Sequence, residues 1–117
     1  LRLRGGREVA VRGLQCLGRD ERAVPAVARV AVNLRGIGVD QVRRGDALTA
    51  PDTHLETRLV DVRLRRPAGP PQQCLLHIGS AQVAVHVRPL GEGTARLTLS
   101  GPLPLRIGDV GLLRDPG

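Results

Sequence analysis

The chain has 117 residues and a net charge of +7, and every one of its 18 basic residues is Arg. Without Lys it offers neither a phosphate-binding P-loop of the usual form nor a Schiff base. Without Phe, Tyr or Trp it has no base-stacking platform and no aromatic membrane belt, and no apolar run approaches the roughly 18 residues that span a bilayer, so no membrane partner is expected.

Taken in chain order, the predicted elements are strands. Apolar and polar residues alternate over residues 8–14, with Val9 and Val11 on one face. Over 28–34, Val30, Val32 and Leu34 share a face opposite Arg29, Ala31 and Asn33. The one short helical turn is expected within 38–44. Residues 56–64 set Val60, Val62 and Leu64 against charge, and 82–88 and 94–99 repeat the pattern. Gly or Pro breaks every run, at Gly18, Gly36, Gly38, residues 67–71, Gly91, Gly93 and Gly101-Pro102. Many short strands with frequent turn signals predict an all-β fold of sandwich or barrel type.

The order Val-Ala-Val, Ala-Arg-Val, Arg-Arg-Gly-Asp (from Val9, Ala28 and Arg43) returns as Val-Ala-Val, Ala-Arg-Leu, Arg-Ile-Gly-Asp (from Val83, Ala95 and Arg106). This echo predicts two small barrels of similar topology, 1–52 and 53–117, joined near Ala50-Pro51-Asp52. Their charges are +4 and +3. At about 60 residues each core is marginal alone.

Three strings carry less than they promise. Leu1-Arg2-Leu3-Arg4-Gly5-Gly6 matches the tail of ubiquitin, but that tail acts through a free terminal carboxylate, and here the chain runs on from Gly6. Arg44-Gly45-Asp46 is an integrin-type tripeptide, better read as a β-turn with Gly at a positive φ and Asp capping it. His77 and His86 read as ordinary strand residues. Cys16 and Cys74 lie far apart without the clustered Cys or His of a soft-metal site. They read as buried, reduced thiols of a cytoplasmic protein, and no metal or cofactor is expected in this chain. No Ser sits in a nucleophile elbow, and the acids are scattered among Arg, so the chain is not expected to be an enzyme. The Arg surface suits a phosphate backbone, since the guanidinium fork binds phosphate bidentately. It is equally what a GC-rich genome produces.

The strings Arg7-Glu8-Val9-Ala10-Val11-Arg12-Gly13-Leu14-Gln15, Ala28-Arg29-Val30-Ala31-Val32-Asn33-Leu34-Arg35-Gly36 and Val42-Arg43-Arg44-Gly45-Asp46-Ala47-Leu48 resemble the second half of domain II of translational GTPases. Among these the chain looks most like the bacterial selenocysteine-specific elongation factor. Leu76-His77-Ile78-Gly79-Ser80-Ala81, and Pro102-Leu103-Pro104-Leu105 leading to Leu113-Arg114-Asp115-Pro116-Gly117, resemble that family's domain III. The resemblance implies two translation-factor-type β-barrels: 1–52 as the C-terminal part of the domain II barrel, 53–117 as a domain III barrel lacking its last strand.

By the same resemblance the parent protein would bind GTP and Mg²⁺ in a domain outside this chain, reach the ribosome, and deliver selenocysteyl-tRNA. The family's pocket Arg matches Arg29, expected to line the aminoacyl pocket, where a cation favours a selenolate over a serine hydroxyl. Val27 stands where the family has Gly. Arg12, Arg35 and Arg114 are the expected tRNA contacts. The chain then reads as an internal fragment, as the lack of an initiator Met also suggests, and strand edges left open imply self-association. Two other readings stay open: the barrel pair of another translational GTPase, and an Arg-rich structural or interaction domain without RNA binding.

Overall fold

In the computed structural model, which describes residues 1–66 and 69–117, three antiparallel sheets account for the regular structure. The first pairs β1 (Arg2–Leu3) with β2 (Arg7–Glu8) around a 3-10 turn at Arg4–Gly6. The second has the order β4 (Arg19–Glu21), β3 (Ala10–Cys16), β5 (Ala31–Arg35). A second 3-10 turn, Val39–Gln41, lies within 38–44, where the one short helical turn is expected; the turn at Arg4–Gly6 is an addition to that expectation. The third sheet uses β6 (Leu55–Arg63), β7 (Gln73–Ile78), β8 (Ala81–Gly91), β9 (Thr94–Leu105) and β10 (Leu112–Arg114), in the order β10-β7-β8-β9-β6. The fold is all-β. Closure into barrels is not detected: β10 and β6 are opposite edges of an open sheet. Of the predicted break at 67–71, residues 67 and 68 lie outside the described residues.

Alternation builds the core of the five-stranded sheet. Val85 and Val87 of β8, Ala95, Leu97 and Leu99 of β9 and Cys74 and Leu76 of β7 are buried. Between them, His86, Arg88 and Thr98 face solvent or its margin. Val60, Val62 and Leu64 pack on the same cluster from β6. This is the period-2 rule of a sheet with one covered face.

The three-stranded sheet has no comparable cover. None of its strand residues is buried, and Val11 and Val32 are 39% and 38% exposed. The expectation that Val30, Val32 and Leu34 point together into a closed barrel is corrected here: Val30 precedes β5, and Val32 and Leu34 line an open trough. Val9 and Val11 differ in burial: Val9, between β2 and β3, is 6% exposed, and Val11 on β3 is 39% exposed; a bulge between Val11 and Gly13 then shifts the register to β5.

Arg2 and Thr49 exchange backbone hydrogen bonds of 2.8 and 2.9 Å, which hold β1 to the segment leading into β6. Two bonds reach the large sheet from the N-terminal half: the Gly5 amide donates to Glu56 Oε1 on β6 (2.7 Å), and the Gly45 amide donates to Ser80 Oγ (3.1 Å) in the β7–β8 turn. The result is elongated, 48 × 29 × 25 Å, with a radius of gyration of 16.5 Å, where a compact chain of this length has about 13 Å.

Candidate functional site

Arg12 lies at the bulge of β3, and Arg35 ends β5 opposite Ala10 of β3, so these two candidate tRNA contacts sit on adjacent strands. Arg29 does not begin a strand. It lies two residues ahead of β5, held at its backbone, where the Arg29 carbonyl accepts from Cys16 Sγ (3.6 Å). Arg114 is elsewhere, on β10 opposite Leu75. The structure therefore sets Arg12 and Arg35 on adjacent strands of one small sheet, places Arg29 beside the Cys16 end of β3 at the opposite end of that sheet from Arg35, and leaves Arg114 on another sheet.

All four are exposed, and among the described residues none has a carboxylate partner. Two ion pairs lie elsewhere among the described residues: Arg2 with Asp52 at 2.9 Å, and Arg96 with Asp61, bidentate at 2.7 and 3.0 Å. The hydrogen bond and charge of Arg96 hold the Asp61 carboxyl below the usual carboxylate range, against a smaller opposing effect of burial.

On the three-stranded sheet the loop after β5 folds back and forms an open trough of about 580 Å³. Leu14, Val32, Leu34, Ile37 and Val42 supply an apolar floor. At the rim, Gln15 Nε2 donates to Asp20 Oδ1 (2.7 Å). The Gly38 amide donates to Gln41 Oε1 (3.1 Å) and fixes the 3-10 turn, while Arg7 Nη2 donates to the Gly36 carbonyl (3.2 Å) and fixes the end of β5. Ala31 also lines the trough, two residues from Arg29. The arrangement is an apolar recess whose strands carry Arg12 and Arg35, with Arg29 just ahead of β5; among the described residues none of the three has a carboxylate partner.

Alternation in the sequence pointed to the exposed Arg on these strands. It did not reveal the trough, because Ile37, Val39 and Val42 join it only through the fold-back after Arg35. Nor could it show that Arg88 and Arg96 stand directly opposite each other on β8 and β9, since register depends on the Pro89/Gly91 bulge.

The Arg44-Gly45-Asp46 string is a turn. The Arg43 amide donates to Asp46 Oδ2 (2.8 Å), the Asp46 amide donates to the Arg43 carbonyl (3.0 Å), and Gly45 has φ +96°. Of the thiols, Cys74 is buried and donates to the Pro71 carbonyl (3.1 Å); burial, reinforced by the Asp115 charge, pushes its thiol pKa up. Cys16 is only half-buried, a correction to the expectation for both thiols, because its strand has one uncovered face. His77 lies in β7 and His86 in β8, where its Nδ1 contacts Gln73 Nε2 (3.0 Å). Among the described residues no group of three or more His, Cys, Asp or Glu is placed to hold a metal ion, and no helix is long and apolar enough to cross a membrane.

In comparisons with known proteins, no family model, no curated protein and no solved structure matches this chain.

Proposed function

We propose that the chain is a tRNA-binding β module of a cytoplasmic translation elongation factor of the selenocysteine-specific kind, holding the aminoacylated 3′ end and stem of selenocysteyl-tRNA for delivery to the ribosome. Its role is binding, and any GTP and Mg²⁺ chemistry belongs to another part of the parent protein. The observation that carries the reading is the state of Arg29. Its guanidinium is exposed and lacks a carboxylate partner among the described residues, and it stands two residues from the trough wall. A cation left without a counter-charge beside a small recess suits an anionic group, and a selenol is ionised near neutral pH where a serine hydroxyl is not. Arg12 and Arg35 on the adjoining strands supply phosphate-matching forks.

The test is binding of the chain to selenocysteyl-, seryl- and bulk tRNA across a salt series. Arg29→Ala is expected to weaken selenocysteyl-tRNA about tenfold or more relative to seryl-tRNA, since a charge-assisted hydrogen bond contributes about 1.5–3 kcal/mol. Affinity for all three should fall with salt, at about −0.9 in log K per log salt for each duplex phosphate neutralised. Equal weakening of both aminoacyl-tRNAs by Arg29→Ala would reduce Arg29 to a backbone contact. Salt-insensitive or absent tRNA binding would favour the structural reading of the Arg surface.

A further inference from the structure

The free edge of β6 is self-complementary, and we infer that two copies of this chain pair through it, antiparallel, about a two-fold axis at Val62. Among the described residues β6 pairs only with β9. The Leu64 amide donates to the Gly93 carbonyl on the β9 side (2.7 Å). In a regular ladder, alternate residues turn their backbone groups to the same side, so Val62 and Val60 also face β9. Asp61 and Arg63 therefore turn their N–H and C=O groups to the open edge. The Asp61–Arg96 ion pair agrees with this assignment: those residues stand directly opposite in the register, at a non-hydrogen-bonded position where side chains approach closest.

The open stretch has a definite start. Thr57 Oγ1 accepts from the Leu59 amide (3.1 Å) and donates to the Leu59 carbonyl (2.7 Å), so a side chain already occupies the edge there. What remains is Val60-Asp61-Val62-Arg63-Leu64, which reads apolar, acidic, apolar, basic, apolar; read backwards it is apolar, basic, apolar, acidic, apolar, so an antiparallel copy sets each charge against its opposite.

A two-fold axis normal to a sheet keeps each face on its own side. With Val62 on the axis, Asp61 meets Arg63 of the partner subunit and Arg63 meets Asp61 of the partner subunit. Both pairs lie at positions that exchange two backbone hydrogen bonds, on the face already carrying Arg96. Val60 meets Leu64 of the partner subunit on the core face, where both residues pack against the buried cluster. Arg63 is exposed and has no carboxylate partner among the described residues. In the pair, Asp61 bridges Arg96 and the partner's Arg63. The occupant of this edge is a second copy of the chain because the chain's own charges complement each other there, and the two five-stranded sheets become one of ten. This inference does not depend on the proposed function.

Sedimentation equilibrium over a wide concentration range tests it, combined with amide exchange. The wild-type chain is expected to pass reversibly from monomer to dimer, with the Asp61 and Arg63 amides gaining protection in the dimer. Arg63→Asp sets like charges opposite at both pairs and should raise the dissociation constant at least about tenfold. Arg63→Pro removes an outward N–H while leaving the ladder to β9 intact, and should abolish the dimer with the circular-dichroism spectrum unchanged. A chain that stays monomeric throughout overturns the inference. So does a dimer that survives both variants, or one in which the Asp61 and Arg63 amides stay unprotected; the last outcome would assign association to another surface, such as the trough.

Discussion

Asp61 joins two strands and sets a pH dependence that a single substitution can isolate. Its carboxyl pKa lies below the ordinary value because Arg96 hydrogen-bonds and attracts the charged form. A group whose pKa is depressed on folding adds stability above its unfolded pKa, and that stability is lost as pH falls toward the folded value. The sign is therefore positive at neutral pH and vanishes through the acid range just below the usual carboxylate pKa. Asp61→Asn should lower stability at neutral pH and flatten its decline on acidification, as read by urea unfolding followed by circular dichroism. The effect is small, since the pair is exposed and screened. A slope unchanged by Asp61→Asn would show that Arg96 holds no preference for the charged carboxylate.

At the scale of elements, two turns carry the internal echo. In Arg106-Ile107-Gly108-Asp109 the Arg106 amide donates to Asp109 Oδ2 (3.0 Å), the Asp109 amide donates to the Arg106 carbonyl (3.2 Å), and Gly108 has φ +97°. These are the bonds of the Arg43–Asp46 turn, with the same left-handed third residue. Only the first turn is docked: a Cβ on Gly45 would come within 3.3 Å of Ala81 Cα, while one on Gly108 would meet nothing within 4 Å. Gly108→Ala should thus cost only the backbone term of a residue forced to positive φ, about 1–2 kcal/mol. Gly45→Ala should cost more, because the Ser80–Ala81 turn must also give way. Equal losses by thermal unfolding would mean that the docked turn yields freely.

Those turns were legible because Gly and Asp at fixed spacing have a local physical meaning. The long strands were legible for a related reason: His86 between Val85 and Val87, or Arg96 between Ala95 and Leu97, declares its face without reference to a neighbour. β4 was missed because its hairpin turns on Leu17-Gly18, and Leu17 takes φ +52°, which sequence rules reserve for Asn or Gly. β1 and β2 are too short to show a period, and β7 places a contiguous Cys-Leu-Leu-His-Ile run where alternation was sought. At the candidate site the exposure of Arg29 was legible, but its place ahead of β5 was not. The strand begins where pairing to Gln15 begins, and that is a property of two segments together.

On the scale of the whole molecule, the cover is unevenly shared. Outside the five-stranded sheet and its core, Leu3 and Val9 are the buried apolar residues among those described, so most of the hydrophobic stabilisation resides in one sheet. That sheet is also unevenly wired along the chain. β7, β8 and β9 follow one another through tight turns, with Ile78 paired to Ala81 and Gly91 to Thr94. β6 reaches β9, its only partner strand among the described residues, across far longer loops, from Arg63↔Thr94 to Leu55↔Leu105. Closing a loop of thirty residues instead of a few costs roughly 2 kcal/mol more in chain entropy, and pairings distant in sequence form slowly. Time therefore orders this sheet: the β7–β9 meander comes first, and β6 and β10, which join it across more than thirty residues, arrive later. In pulse-labelled refolding the Val60, Val62 and Leu64 amides, which face β9, should gain protection after those of β8; simultaneous protection would remove the ordering. Until β6 docks, β9 is the exposed boundary of the nascent sheet, and in a crowded solution the strand that reaches it first can belong to another molecule.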